Sequence, residues 1–203
     1  MKKVFSLILA LGLIASLTAC GGGNASGNET GDSAPTASTA KLRFVTGGES
    51  GTYYAFGSVI AQHATNNTDV SVTAASSGGS QANIQELEDG TAELGFAQSD
   101  VMAYAYNGTN LFEETIDCFS TVAALYMEDV QIVTTDPSIK TVADLAGKNV
   151  SVGAAGSGVY FNAVDILSAY GLGDLDADGK FTKINATYQS FGDSADSLKD
   201  GKI

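Results

Sequence analysis

From Leu42 onward the apolar positions switch between two periods. Leu42–Val45 is a short apolar run, Val70–Ala74 alternates, and Glu93–Ala97 repeats the short pattern, so each predicts a strand. Between them the spacing becomes helical. Tyr53–Ala64 places Tyr53, Phe56, Val59, Ile60 and His63 on one broad face, which makes His63 an expected buried structural histidine. Ser80–Glu88 turns Ile84 and Leu87 inward and is closed by Asp89-Gly90, and a third helix runs from about Ser99 to Tyr106. Strands alternating with helices predict an α/β fold with a mostly parallel sheet. Further on, Ser120–Tyr126 and Val130–Thr134 read as two strands around Met127-Glu128-Asp129, a natural place for the chain to cross between lobes. Lys183–Tyr188 reads as another strand.

The pattern is written twice. Val45–Tyr54 (VTGGESGTYY) aligns without a gap on Val152–Phe161 (VGAAGSGVYF), with Ser50 on Ser157 and Gly51 on Gly158, an offset of 107. Leu87-Glu88-Asp89-Gly90 resembles Leu198-Lys199-Asp200-Gly201, an offset of 111. Such spacing is too long for a solenoid and predicts two lobes on one strand–loop–helix plan. The first Asp-Gly precedes a strand, whereas the chain ends at Ile203 just after the second. The second lobe is therefore expected to be incomplete in this sequence.

The first residues change the setting. Lys2 and Lys3, an apolar run from Val4 to Leu17 and small residues up to Ala19 describe a secretory signal over 1–19. Ala19-Cys20 resembles the bacterial lipobox, which implies cleavage before Cys20 and a lipid on its sulfur. Residues 20–40 hold no large apolar side chain and are expected to be a disordered tether, leaving 41–128 as lobe 1 and 129–203 as lobe 2. The expected location is extracytoplasmic, anchored to the cell membrane by lipid alone. With Cys20 lipidated, Cys118 has no disulfide partner and is expected to be buried filler. Net charge is −13, and losing the two positive charges of Lys2 and Lys3 takes it to −15. Nucleic acid is not an expected partner of so acidic a chain.

The loop TGGESGTYYAFG (46–57) raises three chemical possibilities. A nucleotide P-loop needs a lysine after its last glycine, where this chain has Thr52. A hydrolase elbow needs G-x-S-x-G, which neither Ser50 nor Ser157 satisfies. No His/Cys cluster has metal-ligand spacing. What remains is a strand-to-helix turn whose first N–H groups have no internal partner and carry partial positive charge. Such an end binds an anion without basic side chains, and glycine lets the ligand approach. Ser50-Gly51-Thr52, Ser157-Gly158 and the Ser76–Ser80 turn are three candidates, each of which is otherwise an ordinary capped turn. Arg43 stands near the start of the first lobe, where it could pair with a carboxylate. Asp174–Gly179 copies half a calcium loop, but its twelfth position is Asn185, so it reads as an acidic turn rather than a metal site.

Taken together, GGESGTYYAFG, SSGGSQANIQELEDGTAELGFAQSD and ADLAGKNVSVGAAGSG resemble the TAXI-type solute receptors of TRAP transporters, over Leu42–Ile203. The resemblance implies a type II periplasmic binding protein fold, two lobes with a ligand cleft between them. It implies a receptor, not an enzyme, that uses no cofactor. Its ligand would be a small organic anion, an amino acid or a dicarboxylate such as glutamate, delivered to TRAP permease membrane subunits. By motif it assigns the ligand to Ser50, Gly51, Thr52 and Tyr53, to Ser80 and Asn83, to Gln98, Ser99 and Asp100, and to Gly156, Ser157 and Gly158. Asp100 either holds an ammonium or caps its helix. The alternatives are a receptor feeding a sensor, or an extracytoplasmic hydrolase using a loop serine.

Overall fold

A computed structural model describes residues 39–203. The leader, Cys20 and nearly all of the tether lie outside the described residues. The strand β1 (Ala40–Val45) leads into α1 (Thr52–Asn67), β2 (Val70–Ala75) and α2 (Ser80–Glu88), and these are followed by β3 (Leu94–Gly95) and α3 (Ser99–Asn107). After a stretch without regular structure and a 3-10 turn at Val142–Leu145 come β4 (Asn149–Ser151), α4 (Gly158–Ala169), β5 (Asn185–Thr187) and α5 (Phe191–Lys199). The strands form two separate parallel sheets, β2-β1-β3 and β4-β5. The mixed α/β architecture with parallel pairing is therefore as the alternating pattern predicts.

The repeat is visible in space. Units β1–α1–β2–α2 and β4–α4–β5–α5 run in the same order. Helices α2 and α5 keep the offset of 111 at both ends, Ser80 to Phe191 and Glu88 to Lys199, and each ends on Asp-Gly with the glycine at positive φ, Gly90 at 65° and Gly201 at 67°. The first loops differ by one residue from the ungapped match. Strand ends Val45 and Ser151 and helix starts Thr52 and Gly158 are each 106 apart, not 107. Ser157 is consequently the N-cap of α4, whereas Gly51, not Ser50, occupies that place on α1.

Helix α1 corrects the expected inward face. Its buried residues are Gly57 and Ala61, while Phe56, Val59 and His63 are exposed. The helix lies so close to the sheet that a Cβ on Gly57 would stand 2.5 Å from Thr46 Cγ2 and 3.0 Å from the Phe96 ring. Small residues at i and i+4 make the contact, and the bulky set flanks it. His63 is thus a surface residue, near the side-chain amide of Asn67.

Two apolar clusters fill the interior. One gathers Ile84, Val101, Ala105, Phe112 and Ile116 from the first half together with Phe161 of α4; the other gathers Leu145, Val152, Leu167, Leu172, Phe181 and Ile184. The expected strands at 120–126 and 130–134 are absent. That stretch pairs with neither sheet, and Val122, Met127 and Val133 are exposed. β-propensity yields a strand only where a segment pairs with a partner edge, and this one does not. Cys118, at the head of the same stretch, is exposed rather than buried.

Candidate functional site

The turns after β1 and β4 open on one cavity of about 870 Å³. Ser50, Gly51, Thr52 and Tyr53 line it from one side, Ser157 and Gly158 from another, with Ser80 and Gln98 between them. Eight of the residues assigned from the motifs are therefore brought together. Asn83, Ser99, Asp100 and Gly156 are not on its wall.

Each turn has its own state. At α1 no side chain caps the helix, and the N–H groups of Thr52, Tyr53 and Tyr54 find no partner among the described residues. These are the donors a helix start leaves open. The Tyr53 ring stacks on Phe96 at 4.8 Å, which in turn stacks on Phe44 at 4.9 Å, so the turn is held on a column of aromatic rings. The Tyr53 hydroxyl donates to Glu128 Oε2 at 3.3 Å. Burial, then the Glu128 charge, push its pKa well above the ordinary phenol value.

At α2 the expected anion cradle is already filled. The carbonyl of Gly156 accepts from Gln81 N at 3.0 Å and from Ala82 N at 3.3 Å. Gly156 thus acts as a backbone cap for a helix in the other half. The Ser80 hydroxyl is buried and accepts from Gln98 N at 3.1 Å. Asn83, fully buried, donates from Nδ2 to the carbonyls of Thr46 and Phe96, both at 2.7 Å, and so ties the end of β1 to the end of β3. Its role is to position the two turns.

At α4 the Ser157 hydroxyl accepts from Tyr160 N at 3.2 Å. A Cβ on Gly158 would fall 1.3 Å from Gln98 Oε1 and 3.0 Å from Ser80 Oγ, so a side chain there has to displace the Gln98 amide. Gln98 Nε2 donates to Asn162 Oδ1 at 2.9 Å, and Asn162 Nδ2 donates to Asp100 Oδ2 at 2.8 Å. Asp100 Oδ1 accepts from Val101 N at 2.8 Å. Of its two open readings, the helix start is the one seen, joined by a bond to α4. Tyr104 and Asn110 both donate to Asp165, at 2.8 and 3.0 Å, and extend this latch. Ser99 is exposed, outside the cavity.

Two contributors escaped the sequence reading. Ser190 and Phe191, at the start of α5, line the cavity, and Gly192 N donates to Ser50 Oγ at 3.3 Å. The offset of 111 that maps Gly79-Ser80 onto Ser190-Phe191 is the signal that would have found them. Glu128 is the other, hidden between two runs read as strands. Elsewhere Arg43 pairs with Glu86, on the side chains below β1, as a strand-end charge would. In the acidic turn Asp176 Oδ1 accepts from the N–H groups of Asp178 and Lys180, both at 2.9 Å, and Asp174 pairs with Lys183 at 2.7 Å.

Residues 44–203 match the family described as the NMT1-like family. It is a periplasmic-binding-protein-like family related to solute receptors, and its suggestion for this site is substrate binding.

Proposed function

Since the chain belongs to the NMT1-like family, we propose that it is an extracytoplasmic receptor whose two strand–helix units close as lobes on a small organic anion. The ligand class is an amino acid or a dicarboxylate. By its resemblance to TAXI receptors, the receptor passes that ligand to a TRAP-type permease, while the lipid on Cys20 keeps it at the membrane. The observation that carries this reading is the convergence of the open α1 start and the Ser157-Gly158 turn on one cavity. Backbone N–H groups at a helix start hold a carboxylate through dipole and hydrogen bonds together. Hydroxyls at Ser50 and Thr52 add donors, and Tyr53 adds an apolar wall with a polar tip.

A thermal-shift screen of the full chain against amino acids, dicarboxylates and neutral sugars tests it. A true ligand at about 100 times its Kd adds about 2.7 kcal/mol of stability. Stabilisation by carboxylates supports the reading, and stabilisation by sugars alone overturns it.

A further inference from the structure

The cavity has a second electrostatic pole. Opposite in sign to the open α1 start is Glu128, whose carboxylate faces the same space and accepts from the Tyr53 hydroxyl. The other charges on the wall are neutralised in pairs: Asp136 with Lys148 at 3.1 Å, Lys199 with Asp196 at 3.1 Å, Lys202 with Asp200 at 2.9 Å. Among the described residues Glu128 makes no ion pair. The hydroxyl of Tyr53 donates to it, and that of Tyr126 lies near enough for its pKa to be raised by burial and then by the Glu128 charge, so the carboxylate faces two neutral phenols and no cation, with acceptor positions to spare. Tyr53 connects the poles, because its backbone N–H belongs to the open helix start while its hydroxyl touches Glu128. Raised by burial and by Glu128, that hydroxyl stays protonated at neutral pH and adds no negative charge of its own.

We infer that Glu128 is the cation-binding pole of the ligand site, so that the ligand carries an ammonium as well as a carboxylate and is an amino acid rather than a dicarboxylate. This rests on the receptor reading above and narrows it. A carboxylate held at the α1 start leaves the remainder of a ligand facing Glu128. An ammonium there forms a charge-assisted hydrogen bond. A second carboxylate there meets a like charge. Selection thus comes from attraction of one class and repulsion of the other by a single side chain.

Calorimetric titration of the full chain tests this with the twenty common L-amino acids and 4-aminobutyrate, each beside its deaminated carboxylate (glutamate beside glutarate, for example). The amino acid that binds is expected to exceed its deaminated partner by at least about tenfold in affinity. In Glu128→Gln the preference falls below about threefold, with the deaminated acid binding as well as before or more tightly. Glu128 is exposed, so the variant keeps its fold, which circular dichroism verifies; Lys180→Ala keeps the preference. A preference that survives Glu128→Gln, a wild type that favours the deaminated acid, or no amino acid bound at all overturns the inference. Binding of deaminated acids without amino acids removes only the inference. Binding of neutral sugars without any carboxylate removes the receptor-for-anions reading itself.

Discussion

The turns that follow β1 and β4 start from nearly the same residues, GGESGTYY and GAAGSGVY, and differ in what else they hold. The first lies open: no side chain caps α1, and its first-turn donors face the cavity. The second is tied to its neighbours, with the Ser157 hydroxyl accepting from Tyr160 N, the Gly156 carbonyl capping α2 and Gln98 pressed against Gly158, while the N–H groups of Gly158 and Val159 find no partner among the described residues. A helix start is an anion site only while its N–H groups remain unpaired. What sets the second turn apart is its packing, and Phe161 shows how deeply: it is 0 % exposed, within a cluster otherwise built from the first half. Both turns keep unpaired donors at the cavity, and the second also holds the two halves together.

The largest break in this contrast should come from Phe161. Truncation to Ala empties a fully enclosed ring site and is expected to cost about 3–5 kcal/mol, whereas Tyr54→Ala, at the half-buried residue that the ungapped sequence match sets against Phe161, costs much less. Urea denaturation of both variants measures the difference, and equal costs would mean the two turns are equally embedded. Next comes glycine. Gly158→Ala forces Gln98 aside and is expected to cost about 1–3 kcal/mol, while Gly51→Ala, whose nearest obstruction would be Gly48 O at 3.2 Å, costs less than about 1 kcal/mol. A Gly158→Ala protein with wild-type melting temperature would show that the latch is loose. Smaller still is the cap. Ser157→Ala should lose about 1 kcal/mol, and Ser50→Ala, whose hydroxyl caps nothing in its own helix, should lose nearly none while still weakening ligand binding.

The smallest effect is a pH dependence. Tyr53 has a folded-state pKa raised above its ordinary value of 10.0, so folding retains a proton that the unfolded chain releases. Its contribution is fully present below about pH 10 and declines as pH rises beyond it. Tyr53→Phe should flatten the alkaline fall in stability, read as denaturation midpoints at pH 9 to 11 (about one unit either side of the ordinary phenol value). An unchanged slope would show that the hydroxyl is not held by burial beside Glu128.

Much of the fold was legible because the alternation of apolar runs with helical spacing is a local signal. The bounds of α2 are those read from Ser80–Glu88, and β5 at Asn185–Thr187 lies within the predicted Lys183–Tyr188. The face of α1 was misread because contact there is made by Gly57 and Ala61, which carry little hydrophobic signal, while the bulky residues flank it. At 120–134 the composition reads as strand, yet a strand is a relation between two edges, and one segment's sequence does not supply the other. Gly156 and Asn83 were in the right motifs but serve the frame, since a carbonyl or an amide takes its role from whichever group lies opposite.

By itself the chain's order of residues determined local things: where strands give way to helices, which turns are glycine-rich, and that the plan occurs twice. Those follow from periodicity and backbone sterics over a few residues. Only the tertiary structure decided which helix start stays open, because hydrogen-bond donors are filled by partners distant in sequence, Gly156 for α2 across 75 residues between Gln81 and Gly156. It also decided that Glu128 stands beside Tyr53, 75 residues away in the chain, on the wall of the same cavity.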